Sequence, residues 1–295
     1  MPRTTGGLRT DAAARLAGIR DQRPEWSAWI GMLEEVASHE SRVTSHESRV
    51  MSQESRVESR ESRVENPAAP LLHGRVLRID AGETGRLVER LATKASDLDN
   101  GRSLLGYRPS GEESLGLIGA AVRQDRDAIA AFALARDLDP GALASIAHLA
   151  ALPLLRASGR ELQGEIPEYW PHGYCPVCAA WPILAERRGL DRSRRLRCGR
   201  CASEWEMEWL VCAYCGERDH RSLGSLVPED AGDTVKVETC AGCGGYLKSF
   251  ATLQAIPDFD LLLKDLETLE LDLIALERGY GRPEGSGVGL DVEVV

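Results

Sequence analysis

Residues 174–246 read YCPVCAAWPILAERRGLDRSRRLRCGRCASEWEMEWLVCAYCGERDHRSLGSLVPEDAGDTVKVETCAGCGGY, and this stretch contains all eight cysteines of the 295-residue chain. They form four Cys-x-x-Cys pairs: Cys175/Cys178, Cys198/Cys201, Cys212/Cys215 and Cys240/Cys243. Nineteen residues separate the first pair from the second, ten the second from the third and twenty-four the third from the fourth. A Cys-x-x-Cys turn brings two sulfurs to one side of a tight loop, where backbone N–H groups can donate to them. Two such turns complete a tetrahedral thiolate site, so four turns make two sites. Zinc takes closed sulfur tetrahedra in structural sites, and iron accepts the same ligands.

The residues inside and beside the turns fit that reading. Pro176 presets the first bend, and Gly216 and Gly244 follow the third and fourth turns, where a positive φ is often required. Alanines 179 and 202 stand at the same place after the first two turns, a weaker version of the signal. Adjacent pairing puts the first two turns on one ion and the last two on another. Interleaved pairing, which would cross-brace the module, is the alternative. The long segments within each adjacent couple suit hairpins, and the ten-residue link suits a short joining strand, so adjacent pairing is favoured. Disulfides belong to oxidising compartments. A thioredoxin-like pair would sit beside a βαβ pattern, and none is present.

Composition sets the outer bounds. The length suggests two or three domains. An apolar content of 43% with 28% charged residues is that of an ordinary globular chain, and the net charge of −10 counts against nucleic acid as a partner. Met1–Gln22 carries charges throughout and lacks the apolar core of a secretory signal. The longest apolar-rich run, Ala142–Leu155, contains His148 and Pro153 and reads as too short for a membrane span. The expectation is a cytoplasmic protein with reduced, metal-loaded thiols and no membrane insertion.

Before the cysteines, the pattern is helical. Leu16 and Ile19 belong to a first segment, and Pro24 starts another in which Trp26, Trp29, Ile30, Leu33 and Val36 recur at helical spacing. The tryptophan pair is expected in the core. Residues 38–65 repeat Glu-Ser-Arg-Val four times with a period of seven. Valine is the one apolar residue recurring per unit, too few for a coiled-coil seam. Residues 38–70 therefore read as a low-complexity insertion and linker, expected to be disordered. Leu87, Val88, Leu91, Ala95 and Leu98 form one stripe, and Leu115, Ile118, Ala121 and Val122 begin another that Ile129, Phe132 and Ala133 continue. Asp139-Pro140-Gly141 breaks the chain before a helix carrying Leu143, Ile146, Ala147 and Ala150.

Aromatics Tyr169, Trp170, Tyr174 and Trp181 lead into the cysteine region, where they are expected to cover a metal site. With eight cysteines filling two sites, His172 and His220 are not needed as ligands. Arg187–Arg200 holds seven arginines and one acid, Asp191. Such a segment could bind nucleic acid, offset the negative charge of a four-thiolate site or dock an acidic partner. Short strands are expected at Arg194–Arg197, Glu204–Leu210 and Val235–Glu238. A helix is expected over Phe259–Glu277, with seven acids against Lys264 in Asp258–Glu277 and leucines packed on the module. No metalloprotease helix, nucleophile elbow or phosphate loop occurs, so the chain reads as a non-enzyme.

The runs CPVCAAWP, RRLRCGRCASEWEMEWLVCAYCGE, VKVETCAGCGGYLKSFATLQ and LETLELDLIALERGYGRP together resemble the formate dehydrogenase accessory protein FdhE family, over Trp170–Pro283. The 38–65 repeat departs from the family pattern. The resemblance implies a non-catalytic cytoplasmic maturation factor that contacts the catalytic subunit of formate dehydrogenase. It also implies two rubredoxin-like sites, one of Cys175, Cys178, Cys198 and Cys201 and one of Cys212, Cys215, Cys240 and Cys243, with iron favoured over zinc. The alternatives kept are a nucleic-acid-binding zinc-ribbon protein and an iron-based electron-transfer protein; a homodimer is left open. The fold expected is α+β: an α-helical domain over 1–168, tandem ribbon modules over 169–209 and 210–283, the second ending in a helix, and a flexible tail over 284–295.

Overall fold

The computed structural model describes residues 5–40, 50–52, 69–228, 232 and 234–295. Most of the Glu-Ser-Arg-Val repeat lies outside the described residues. The chain divides into two compact units. The first comprises Met1–Glu54, Gly74–Ser158 and Asp291–Val295; the second comprises Ser55–His73 and Gly159–Leu290.

The first unit is mainly helical: α1 (Thr5–Gln22), α2 (Ser27–Glu40), α3 (Ala81–Ala95), α4 (Gly111–Arg123), α5 (Arg126–Leu134) and α6 (Pro140–Leu162), whose last turn belongs to the second unit. Local chemistry explains where they start. Asp80 and Asp125 accept from the backbone N–H three residues on, at 2.7 and 3.0 Å, and Asp139 does the same for Ala142 at 2.7 Å, just before Pro140 opens α6. Ser110 and Glu113 form a reciprocal capping box. The helix expected to run on past Val122 stops instead at Gln124, which takes φ 59°, and Asp125 caps a new one. Buried Leu87, Leu91, Leu117, Ile118, Leu143, Ile146 and Leu155 form the interior.

Four sequence expectations need correction. Trp29 is 38% exposed, so the tryptophan pair is not core; Trp26 lies beneath the Arg23 guanidinium. The apolar run judged too short for a membrane lies inside a helix that, with its following turn, spans Pro140–Glu165 and is long and apolar enough to cross one. Within the protein 67% of that window is buried, and fully buried Arg156 pairs with Glu40 at 2.9 Å. That is the pattern of a core helix.

The tail is not all frayed either. The third correction is that β9 (Val292–Val294) pairs in parallel with β2 (Arg75–Leu77), which also takes β1 (Val50–Ser52) on its other side. Fourth, the helical domain does not hold all of residues 1–168: Leu71 and Leu72 donate to the carbonyls of Pro176 and Val177 at 2.7 and 3.0 Å, inside the second unit. In both cases a short segment finds backbone partners far away in sequence, which no local pattern reports.

The second unit carries one six-stranded sheet, ordered β5-β4-β3-β8-β7-β6, in which β3 is Pro182–Arg188, β4 Ser193–Cys198, β5 Glu204–Glu206, β6 Leu223–Leu226, β7 Val235–Cys240 and β8 Tyr246–Thr252. The same sequence of parts occurs twice: cysteine turn, hairpin, cysteine turn, return strand. Each half is an antiparallel three-stranded ribbon, and the halves join through parallel pairing of β3 with β8. The two ribbons thus share one sheet rather than standing as separate domains. The acidic helix is two helices, α7 (Asp260–Glu267) and α8 (Leu269–Glu277), broken at Thr268, whose hydroxyl donates to the Lys264 carbonyl at 2.7 Å.

Candidate metal centres

The eight sulfurs gather into two groups of four: Cys175, Cys178, Cys198 and Cys201, and Cys212, Cys215, Cys240 and Cys243. In each group the ligand atoms lie within 4.8 Å of one another. This is the adjacent arrangement; interleaving does not occur. It follows from the hairpins. Cys198 ends β4 and Cys240 ends β7, so each hairpin returns a turn to the side of the turn that precedes it.

Sulfur separations exclude disulfides. Cys175 and Cys201 stand 3.4 Å apart, Cys178 and Cys198 3.5 Å, and the second group has two separations of 3.7 Å, whereas a disulfide bond is about 2.05 Å. An ion held by four sulfurs at about 2.3 Å has sulfurs about 3.8 Å apart along each tetrahedral edge. The donor sets therefore fit one tetrahedral ion each.

The turns are built to carry negative sulfur. Val177 N–H points at Cys175 Sγ, Arg200 and Cys201 N–H at Cys198 Sγ, and Tyr214 N–H at Cys212 Sγ, each at 3.4 Å. The residue after every second cysteine has positive φ: Ala179 60°, Ala202 63°, Gly216 74° and Gly244 69°. All four turns thus end in the left-handed region, and the alanines hold it at some steric cost. Further backbone bonds lock the loops, as from Cys175 N–H to the Ala180 carbonyl at 2.8 Å and from Cys240 N–H to the Gly245 carbonyl at 2.9 Å. Burial pushes the Cys175, Cys201 and Cys212 thiols upward. Gathering four cysteines of one site as thiolates calls for a cation among them.

The two centres differ in access. All four cysteines of the first are buried, whereas Cys215 and Cys243 of the second are exposed. An aromatic chain runs from one to the other. Trp170 meets His172 and Tyr174 edge-on, His172 stacks on Tyr174 at 4.9 Å, and Trp181 bridges Tyr174 to Tyr214, within the third turn. Tyr169, expected in this cover, is 70% exposed. Burial lowers the His172 pKa, and its ring stacks in the aromatic chain. Neither it nor His220 joins a sulfur group.

The arginine-rich segment is largely committed internally. Arg187, Arg194 and Arg197 are buried. Arg197 pairs with Glu186, itself fully buried and also contacted by Arg188, the Thr252 hydroxyl and the Ile256 N–H. Arg194 pairs with Glu238 at 2.7 Å, Arg188 with Glu204 at 2.8 Å, and Arg195 with Glu206 at 2.9 Å. These cations hold strands and loops together. The acids that neutralise them lie on other strands, invisible in a local count of charge.

Residues 196–286 match the family model described as FdhE, C-terminal domain. The C-terminal part of this chain is similar to an FdhE C-terminal domain. Relatives agree: an FdhE homolog of Stutzerimonas stutzeri is 39% identical over 111 residues, 37% of this chain and 35% of that protein. One from Aquifex aeolicus is 30% identical over 128 residues, 41% of this chain and 44% of that protein. Escherichia coli FdhE is 33% identical over 114 residues, 37% and 35% respectively. The chain thus spans less than half the length of these curated relatives. The crystal structure of FdhE from Pseudomonas aeruginosa superposes with a TM-score of 0.58, covering 92% of each chain at 21% identity, so the fold extends over nearly the whole length.

Sequence reasoning missed several supports of this C-terminal domain. Ser203 Oγ lies 3.2 Å from Cys201 Sγ, and the Tyr214 hydroxyl donates to the Tyr246 carbonyl at 2.9 Å. Fully buried Lys248 is held by Asp265 and Asp272. The Ser-Glu-Trp run and the tyrosine inside a cysteine turn were visible as residues, but their partners come from other strands.

Proposed function

We propose that this chain is a non-catalytic accessory factor for formate dehydrogenase, binding the catalytic subunit through a scaffold that two metal ions hold together. The observation that carries the scaffold is the pair of sulfur tetrahedra, with edges of 3.4–3.7 Å. The partner is suggested by the FdhE domain and its named relatives. The ions would be ligated by Cys175, Cys178, Cys198 and Cys201, and by Cys212, Cys215, Cys240 and Cys243; iron is favoured by the family resemblance, with zinc the other candidate. Their contribution is cross-linking: four thiolates per ion leave no open position for substrate. The proposed setting is the cytoplasm, where thiols stay reduced.

Protein purified without oxygen should contain two ions per chain and co-purify with the catalytic subunit of its host's formate dehydrogenase. A deletion strain should lose formate oxidation. Normal oxidation in that strain, with no subunit recovered, would sink the reading.

One observation favours a second reading, electron transfer: Cys215 and Cys243 place sulfurs of the second centre at the surface. Visible absorbance that bleaches with a mild reductant and returns in air would support it. The nucleic-acid reading loses its motive, because Arg187, Arg194 and Arg197 are buried and Arg188 and Arg195 pair with glutamates.

A further inference from the structure

We propose that the outward face of α8 is where this chain seats its client enzyme, and that the client presents there an apolar patch edged by lysine or arginine. Leu271 and Ala275 turn inward and pack with Val237 and Tyr246. On the opposite side Leu269, Leu273 and Leu276 recur at spacings of four and three, which aligns them in one row. They are 40%, 55% and 55% exposed. Single exposed leucines need no explanation, but a row of three on a nine-residue helix is a patch of the kind that marks contact sites.

The helix carrying the row is fixed before any partner arrives. Asp272 accepts from Lys248, Arg282 and the Tyr246 hydroxyl, each at 2.7 Å, tying α8 to the sheet. A rigid apolar face loses little freedom on binding. Its border gives the sign of the partner. Glu270 and Glu277, one helical repeat apart and both exposed, line one flank of the row. Phosphate-rich surfaces would be repelled there. A second copy docking face to face and antiparallel would bring the same glutamates together, within a chain of net charge −10. A basic-edged apolar protein face meets the row without that repulsion.

This inference rests on the reading of the chain as a formate dehydrogenase accessory factor. The test is anaerobic binding of the full-length protein to the catalytic subunit, with Leu273→Asp and the double variant Glu270→Lys/Glu277→Lys. Both alter exposed side chains, and metal content and circular dichroism verify the fold. Leu273→Asp should bind about tenfold or more weakly while keeping two ions. The charge reversal should also weaken binding, and wild-type affinity should fall as salt rises. If wild type binds and both variants bind equally well, the inference falls and the accessory reading stands. If wild type does not bind, both fall. Dimers that Leu273→Asp dissolves would assign the row to a second copy and overturn the proposal.

Discussion

At the scale of single residues, backbone conformation and buried charge decide the second unit. Gly244 sits at φ 69° directly after Cys243, where an added Cβ meets its own backbone. Gly244→Ala should cost about 1–2 kcal/mol, read as a lower denaturation midpoint with both ions retained. Lys248 is fully buried between Asp265 and Asp272. Lys248→Met leaves two carboxylates with Arg282 as their cation and should destabilise by about 3 kcal/mol.

Asp272 gives a pH test. Burial disfavours its charge, but Arg282, Lys248 and Tyr246 outweigh that and hold its pKa below the ordinary carboxylate range. Its stabilisation is therefore complete above the unfolded value of about 3.9 and is lost as pH falls through the folded value. Wild type should be more stable than Asp272→Asn at pH 7, and the gap should close below about pH 4. A gap independent of pH would show that the carboxylate's charge is not the cause.

At the scale of elements, the two cysteine centres are alike in their turns and unlike in their cover. Four buried sulfurs beside an aromatic cluster shield the first; the second exposes Cys215 and Cys243. A chelator reaches an ion through its exposed ligands, so metal release should be biphasic, the second centre emptying first. Cys215→Ser should abolish or greatly accelerate the fast phase and leave the slow one. A single phase for both ions would contradict the asymmetry. The repeated pattern of turn, hairpin, turn and return strand was legible in the spacing, because each hairpin needs its own run of residues between turns. The joining of the halves was not: β3 and β8 pair in parallel across some sixty intervening residues, and Leu184 meets Lys248 there.

At the scale of the whole molecule, metal loading should matter to the two units to different degrees. The sheet unit has small apolar clusters, such as Leu184, Ala202, Phe250 and Leu261, and two sulfur groups that one ion each would cross-link. The helical unit has many fully buried apolar side chains, Leu87, Leu91, Leu117, Ile146 and Leu155 among them. Removing both ions should expose the amides of β3–β8 to hydrogen exchange while helices α3–α5 stay protected. Equal protection of both units without metal would refute this division.

The sequence by itself determined the donors, the preference for adjacent grouping, the helical character of the first unit and the family likeness of the second, because ligand type, spacing and capping are local properties. Tertiary structure alone decided which acids absorb the arginines, that two ribbons share one sheet, that Val292–Val294 is a strand and that Leu269, Leu273 and Leu276 of α8 face outward. Each of these depends on partners distant in the chain, and local periodicity carries no information about them.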